Sequence, residues 1–155
     1  RRCLNIESLS VSPSSIEGIH KFTITTWSDR VTMEKVVKQI EKRIDVLKSF
    51  LYTDDEIVYQ EIALYKVPTE QLLNEKNLEG IIRRHNARIL EITKEYTVIE
   101  KSGHNDETEA LFEELKNYDI RQFVRSGRVA ITKSTQEYVT MFLEEQARRR
   151  AEGLI

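Results

Sequence analysis

The sequence predicts an α+β protein with two βαββαβ units and a C-terminal helix. Apolar and polar residues alternate over 8–12, as in a half-buried strand, and apolar residues recur at helical spacing over 33–44. The predicted elements run in the order ββαβ over 1–53 and βαββαβ over 57–131. The second order is that of a complete ferredoxin-like unit, and the first is the same unit without its first strand and helix.

The first unit opens with a predicted hairpin and helix. The turn-forming run 13–18 joins the strand at 8–12 to a second alternating strand, His20–Trp27. Asp29 or Thr32 is a suitable N-cap for the next element. That element is predicted as an amphipathic helix because five apolar residues share one face: Met33, Val36, Val37, Ile40 and Ile44.

Val46–Tyr52 is predicted as the third strand of the first unit, and a charged linker follows it. The second unit then begins with the strand Ile57–Val67. The helical region after this strand runs to about His85. We expect it to break near Asn74, because its leucines change phase there.

A second hairpin, formed by Ala87–Thr93 and Tyr96–Lys101, is predicted to follow this region. Asp106 and Glu109 resemble a capping box at the start of the next helix. The apolar stripe of that helix consists of Leu111, Phe112, Leu115 and Tyr118.

The end of the chain is predicted to hold two short strands and a helix. Ile120–Arg125 and Arg128–Ile131 are separated at Ser126-Gly127, and Thr135–Ile155 is helical. The chain starts without Met on what resembles the last turn of a helix, so we expect the first unit to lack its first strand and most of its first helix. The expected domains are the truncated unit at 1–55, a ferredoxin-like domain at 56–133 and a helical tail at 134–155.

Composition indicates a soluble, cytoplasmic protein. The 155 residues are 39% hydrophobic and 32% charged, and the net charge is −2, so no overall field attracts nucleic acid or an acidic membrane. The sequence has a single cysteine, Cys3, which suits a reducing compartment. It shows no signal peptide and no apolar run as long as a membrane span. We therefore expect neither a nucleic-acid nor a membrane partner.

The reactive residue types do not form a recognisable catalytic or metal-binding pattern. His20, His85 and His104 fall on separate predicted elements, without a second ligand at metal-binding spacing. Cys3 has no evident base beside it and is expected to be a buried structural thiol. The five glycines form no phosphate-binding loop. We expect no catalytic site, no metal site and no cofactor.

Four segments resemble, in the same order, the small regulatory subunit of acetohydroxyacid (acetolactate) synthase. The first segment follows an Arg-rich helix end and looks like the family segment R-x-x-N-I-E-S-L. The resemblance covers about residues 1–133. The four segments are Asn5–Leu9, Gln39–Lys42, Glu61–Val67 and Arg125–Gly127.

The resemblance implies that the first unit is an ACT domain, a fold that binds an amino-acid effector. It implies a non-catalytic homodimer that pairs with a large, thiamine-diphosphate-dependent catalytic subunit, which condenses 2-ketoacids in branched-chain amino-acid biosynthesis. In that family the small subunit raises the activity and confers feedback inhibition, usually by valine. The Gly-Asp-Gly signature of the catalytic subunit is not present in this sequence.

The same resemblance places the effector at Asn5 and Ile6. From the residues alone, Asn5 is either a cap or turn residue or a ligand for a small polar molecule, because its amide both donates and accepts hydrogen bonds. Cys3 stands where family members commonly have Gly. Two alternatives to the regulatory subunit are a stand-alone ACT protein that senses an amino acid and acts on another partner, and a small ferredoxin-like enzyme. The lack of a convergent catalytic cluster disfavours the enzyme.

Overall fold

The computed structural model describes residues 4–14, 16–74, 76–135 and 138–152. Short 3₁₀ turns lie at Asp54–Glu56 and Lys116–Tyr118. The strands are β1 (Ile6–Pro13), β2 (His20–Thr26), β3 (Ile57–Pro68), β4 (Arg88–Ile92), β5 (Tyr96–Gly103), β6 (Gln122–Arg125) and β7 (Val129–Thr132). The helices are α1 (Arg30–Ile40), α2 (Thr69–Asn74), α3 (Lys76–Arg84), α4 (Asn105–Leu115) and α5 (Tyr138–Ala151).

The chain forms two compact units, and each combines distant parts of the sequence. The first contains the described residues up to Thr26 together with Tyr59–Ala130. The second contains Trp27–Val58 and the described residues from Ile131 onward. The expected domains at 1–55, 56–133 and 134–155 stay a prediction.

The complete βαββαβ order is present from β3 to β6, with the first helix of the unit divided into α2 and α3. Within the described residues, the sheet has the strand order β4-β5-β3-β6, and β7 also pairs with β3. The pairs β3–β5, β3–β6 and β4–β5 are antiparallel. This arrangement confirms the predicted α+β class and its ferredoxin-like unit.

The core lies on one face of this sheet, because alternate side chains of β3 point towards the helices. Ala63, Tyr65 and Val67 are fully or almost fully buried. The Tyr65 hydroxyl donates a hydrogen bond to the carbonyl oxygen of Thr108 in α4 (2.6 Å), and burial raises the pKa of this tyrosine. The other buried hydrophobic residues of the core are Leu78, Ile81, Ile82, Ile99, Leu111 and Leu115.

The helical region after β3 is divided as predicted near Asn74. The second helix, α3, ends at Arg84, and Asn86 just after it adopts a left-handed conformation (φ 49°). The amide of Ala87 then donates to the carbonyl oxygen of Ile82 (2.9 Å), so the last turn of the helix is closed by backbone hydrogen bonds.

The predicted start of α4 was wrong by two residues. His104 is the N-cap, and its amide donates to the Glu107 carboxylate (2.8 Å). Asp106 and Glu109 therefore lie inside the helix instead of forming its capping box. The N-cap was predicted at the wrong position because several acidic residues in this segment have the spacing of a capping box. The predicted apolar stripe is confirmed, since Leu111 and Leu115 are buried and Phe112 and Tyr118 pack against the core.

The predicted first hairpin is confirmed, but its apolar face is more exposed than its polar face. β1 and β2 pair antiparallel, and Leu9 lies opposite Ile24 while Val11 lies opposite Phe22. These four side chains are 45–62% exposed. The alternate residues Ser8, Ser10, Thr23 and Thr25 are half-buried. The polar face of the hairpin is therefore the covered face.

The helix α1 begins as predicted and ends early. The Asp29 carboxylate accepts the amide of Thr32 (2.8 Å), which confirms Asp29 as the N-cap. Hydrogen bonding from Thr32 also holds the pKa of Asp29 below its ordinary value. The predicted stripe extended to Ile44, but the helix ends at Ile40 and Ile44 is 99% exposed.

The predicted strand Val46–Tyr52 was wrong, because this segment is irregular. The amide of Ser49 donates to the Glu41 carboxylate (3.1 Å) instead of to a neighbouring strand, and Lys48 pairs with the same carboxylate (2.9 Å). Phe50 contacts Tyr138 of α5, with 5.8 Å between ring centroids. Phe50 is thus used for side-chain packing within the second unit and not for a strand.

The predicted C-terminal helix is confirmed as α5 over the described residues, and it ends in the basic run Arg148, Arg149 and Arg150. In the part of the chain that the structure describes, no helix combines the length and the apolar character needed to cross a membrane.

Candidate functional site

Asn5 and Ile6 lie at the beginning of β1. The carbonyl oxygen of Asn5 accepts a hydrogen bond from the Thr26 hydroxyl (2.8 Å), which ties this corner to the end of β2. Both side chains are exposed, Ile6 by 62%. The predicted effector site at these two residues stays a prediction, and Cys3 lies outside the described residues.

A β-bulge directly follows this corner. Ile6 is opposite Thr26 and Ser8 is opposite Thr25, so Glu7 is the extra residue of the strand. A bulge redirects the side chain at its position. Here Glu7 lines a cleft that the hairpin shares with the end of β6.

This cleft has a volume of about 250 Å³ and a mostly polar wall. We call it the hairpin cleft. All of its residues belong to the first compact unit. They are Glu7, Ser8, Leu9, Thr25, Glu61, Arg125, Ser126, Gly127 and Arg128.

Gly127 allows the hairpin to approach this end of the molecule closely. A Cβ atom at residue 127 would lie 2.9 Å from the carbonyl oxygen of Leu9 and 3.1 Å from the Cβ of Ser10. Real Cβ contacts are longer, and one of the obstructing groups is backbone that has no side-chain freedom to give way. The hairpin is also held by Lys21, whose ammonium donates to the carbonyl oxygen of Ala130 (2.7 Å).

The floor of the hairpin cleft is a network around Arg125. Its guanidinium donates to the Asn105 side chain and lies 3.5 Å from the carboxylate of Glu109 and 3.8 Å from that of Glu61. Glu61 is 6% exposed and also accepts a hydrogen bond from the Thr108 hydroxyl (2.6 Å). The buried carboxylate is therefore both charge-compensated and hydrogen-bonded, as a buried charge requires.

Two hydrogen bonds between Ser126 and the backbone of Ile62 fix the turn that follows Arg125. The Ser126 hydroxyl accepts the amide of Ile62 (2.9 Å), and the amide of Ser126 donates to the carbonyl oxygen of Ile62 (2.8 Å). The Arg128 guanidinium carbon lies over the Tyr59 ring, 4.2 Å from the ring centroid, and the His104 ring stacks on the same Tyr59 ring with 4.3 Å between centroids. The Arg128 charge thus lies over the face of an aromatic ring, as in a cation–π contact.

A second polar cleft of about 290 Å³ lies between α3 and α4. Beside it, Glu114 accepts hydrogen bonds from His85 (2.9 Å) and Arg84 (2.5 Å). The hydrogen bond with His85, followed by that with Arg84, keeps the pKa of Glu114 below its ordinary value. Among the described residues, no group of three or more His, Cys, Asp and Glu side chains is arranged to hold a metal ion.

The structure brings together three of the four segments on which the family resemblance rests. Asn5–Leu9 supplies the bulge, Glu61 comes from the segment Glu61–Val67, and Arg125–Gly127 supplies the floor and the close contact. Sequence reasoning did not connect these segments, because about 120 residues separate the first from the last. The available signal was that each segment carries charged residues in or next to a predicted strand.

Comparison with known proteins gives a consistent result. Residues 60–134 match the family model described as "Small subunit of acetolactate synthase". The acetolactate synthase small subunit of Bacillus subtilis is 32% identical over 138 residues, which cover 88% of this chain and 80% of that protein. The probable acetolactate synthase small subunit of Archaeoglobus fulgidus is 30% identical over 139 residues, covering 88% of this chain and 85% of that protein.

A solved structure shows the same fold. The crystal structure of the acetolactate synthase small subunit from Thermotoga maritima matches with a TM-score of 0.76 and 24% sequence identity, covering 86% of this chain and 83% of that chain. Fold and cleft together define an α+β protein built on ferredoxin-like units that has a cleft of small-molecule size. The extent and identity of the sequence matches go further: this chain belongs to the family of acetolactate synthase small subunits.

Proposed function

We propose that this chain is the regulatory subunit of an acetolactate synthase, active in the cytoplasm. It activates a separate, thiamine-diphosphate-dependent catalytic subunit and confers feedback inhibition by valine in branched-chain amino-acid biosynthesis. It has no catalytic activity of its own. The observation that supports this most strongly is the match to proteins named as small subunits across 88% of the chain.

We propose that valine binds at the corner formed by Asn5 and Ile6. The site combines an amide that donates and accepts hydrogen bonds with an apolar side chain, and a zwitterionic amino acid with a branched apolar side chain needs both. The exposure of both side chains leaves them available to a ligand. The Thr26 hydroxyl holds the backbone of this corner in place through the carbonyl oxygen of Asn5.

We propose that the chain forms a homodimer through the apolar face of the β1–β2 hairpin. Four apolar side chains lie together on that face and are about half exposed: Leu9, Val11, Phe22 and Ile24. A contiguous exposed apolar patch of this kind marks an interaction surface. A second copy would cover it with an identical patch, as two-fold interfaces do.

Reconstitution with the catalytic subunit tests the proposed function. Acetolactate formation from pyruvate is measured for the catalytic subunit alone, for this chain alone and for the mixture, each with and without valine. We expect no turnover by this chain alone, higher turnover by the mixture and inhibition of the mixture by valine. Turnover by the pure chain, or a mixture no more active than the catalytic subunit, would refute the proposal.

A further inference from the structure

We propose that the open edge of β4 is a second contact between copies of this chain, in which β4 pairs antiparallel with β4 of another copy. The inference goes beyond the proposed function, because the homodimer proposed above uses the apolar face of the β1–β2 hairpin. A chain with two different two-fold contacts assembles beyond the dimer. Three features of β4 support this contact: its unpaired edge, its exposed apolar side chains and the order of its charges.

β4 is the outermost strand at one side of the ferredoxin-like sheet. In the strand order β4-β5-β3-β6 it pairs with β5, and no other described strand pairs with its outer edge. The backbone N–H and C=O groups along such an edge are a template for a further strand. A second copy of β4 supplies that strand without any new element.

The side chains of β4 leave an unusual amount of apolar surface at this edge. All five residues of the strand are exposed. Three of them are large and apolar: Ile89 is 36% exposed, Leu90 50% and Ile92 57%. Exposed edge strands normally carry charged or small side chains, because apolar ones invite pairing with another strand. A neighbouring strand would cover part of this apolar surface.

The two charged side chains of β4 share one face of the sheet. Arg88 lies opposite Glu100 of β5, and Glu91 lies opposite Val98. Glu100 and Val98 are two residues apart in a regular strand, so their side chains and those opposite them point to the same face. Arg88 and Glu91 are three residues apart, and the irregular register at Leu90 makes their common orientation possible.

This arrangement selects one register for two antiparallel β4 strands related by a two-fold axis. In that register Arg88 lies opposite Glu91 of the other copy, and Ile89 lies opposite Leu90. Two Arg–Glu pairs then flank an apolar centre, and opposite charges across two strands stabilise their pairing. A shift by one residue would put Arg88 opposite Ile92, whose side chain points to the other face of the sheet.

Both charged groups keep hydrogen-bonding capacity for this contact. Arg88 donates to Glu100 through its Nε atom, its side chain is 74% exposed, and a guanidinium has four further N–H donors on its Nη atoms. Glu91 accepts the hydroxyl of Tyr96 at Oε2 (3.0 Å), and its second carboxylate oxygen can accept as well. An Arg88–Glu91 pair between copies therefore adds to the contacts within each chain and replaces none of them.

The contact is small, so it is weak. β4 has five residues and an irregularity in its pairing, and short or bulged edge strands limit how far another strand can extend the sheet. Interfaces below the standard size are typical of weak association. We therefore expect this contact to be absent at micromolar concentration and populated at submillimolar concentration.

Sedimentation of the full chain from micromolar to submillimolar concentration tests the contact. The mean mass of the wild type should rise with concentration beyond its micromolar value. Leu90→Lys should raise the dissociation constant of this step by at least about tenfold, because it places an unpaired charge at the centre of the contact. Ile62→Lys is the matched control. Ile62 is 49% exposed on β3 in the middle of the same sheet, so the step should be unchanged.

A second pair of variants tests the register. Glu91→Lys places like charges opposite each other at two symmetric positions and should raise the dissociation constant by at least about threefold. Glu95→Lys makes the same change at an exposed position in the turn after β4 and should have no such effect. In the wild type, amide hydrogen exchange within β4 should slow as the concentration rises, whereas exchange in the edge strand β6 should not.

Several results would overturn the proposal. They are a mass that does not rise with concentration, equal behaviour of Leu90→Lys and Ile62→Lys, and equal behaviour of Glu91→Lys and Glu95→Lys. Slowed exchange in β4 that requires addition of the catalytic subunit would assign the edge to that partner instead of a second copy. Val11→Lys, which lacks the proposed hairpin contact, should still gain mass at submillimolar concentration, so failure of the hairpin dimer is distinguishable from failure of this contact.

Discussion

Gly127 determines how closely the β1–β2 hairpin approaches the end of β6. On the hairpin, the atoms nearest to an added Cβ at residue 127 belong to the main chain of Leu9. A larger residue at 127 therefore displaces the hairpin backbone, because there is no flexible side chain there that could move aside. The hairpin cleft lies at this contact. A single hydrogen-to-methyl change therefore alters both the stability and the shape of the cleft.

Gly127→Ala should reduce the free energy of unfolding by about 1–3 kcal/mol, because overpacked sites cost that much. Gly80→Ala is the matched control. Gly80 lies in α3 with no atom within 4 Å of the added Cβ, so the same change should raise the stability by about 0.5–1 kcal/mol. Urea denaturation measures both. Equal effects of the two substitutions would show that the close contact at 127 does not exist in solution.

Asn5→Ala should weaken valine binding by about twofold to tenfold, since an exposed site loses a hydrogen bond of modest net strength. Activation of the catalytic subunit should persist, because we expect the docking surface to lie outside the effector site. Calorimetry with valine and the activity of the mixture measure the two effects separately. An unchanged valine affinity would assign Asn5 to the turn alone.

The roles of some of these residues could be predicted from the sequence, and the roles of others could not. Asn5 and Asp29 were identified from the chemistry of turns and caps, and the structure confirms Asp29 as a cap. Glu7 was not identified, because its role depends on a bulge, and a bulge is defined by the register between two strands. The close approach at Gly127 was hidden for a similar reason, since it depends on a contact between distant segments.

At the scale of elements, the β4–β5 hairpin contains an ion pair in which the glutamate is buried and the arginine is exposed. The Glu100 side chain is 6% exposed, pairs with Arg88 and accepts a hydrogen bond from Ser102 (2.6 Å). The hydrogen bond from Ser102, followed by the pairing with Arg88, lowers the pKa of Glu100. The folded state therefore stabilises the ionised carboxylate of Glu100 more than the unfolded state does.

This pKa shift predicts a pH dependence of stability. The stabilisation by Glu100 is present above the ordinary pKa of a glutamate and is lost as the pH falls through the lowered pKa, because the unfolded state takes up the proton first. Glu100→Gln should thus reduce the loss of stability between about pH 5 and pH 3. Glu17→Gln, in an exposed turn, serves as the control. Urea denaturation across this range would contradict the pKa shift if the Glu100→Gln curve paralleled the wild-type curve.

Elements with strong periodicity were predicted well, and elements defined by tertiary contacts were not. The alternation in β3 and the stripe of α4 correspond to buried residues, because both face one core. Val46–Tyr52 has the composition of a strand, but Glu41 takes the amide of Ser49 and Tyr138 contacts Phe50. Local propensity was overridden there by side-chain partners that no window of the sequence reveals.

At the scale of the molecule, the exposed apolar face of the hairpin is the proposed contact with a second copy of the chain. Val11→Lys places a charge on this face and should shift the proposed dimer towards monomer, because burying an unpaired charge is costly. Val31→Lys in α1 is the matched control, since Val31 is 60% exposed on another element. Sedimentation at micromolar concentration measures both variants. A wild-type monomer, or equal behaviour of the two variants, would exclude this face as the dimer interface.

The separation of Leu9 from Gly127 along the chain also has a consequence for the order of folding. Their contact closes a loop of about 120 residues, whereas β3 and β5 pair across about 30. Closing the longer loop costs about 1 kcal/mol more in chain entropy. During synthesis, Leu9 also cannot make this contact until Gly127 has left the ribosome. The hairpin cleft is therefore one of the last features to form, after the ferredoxin-like sheet has provided the surface on which the hairpin docks.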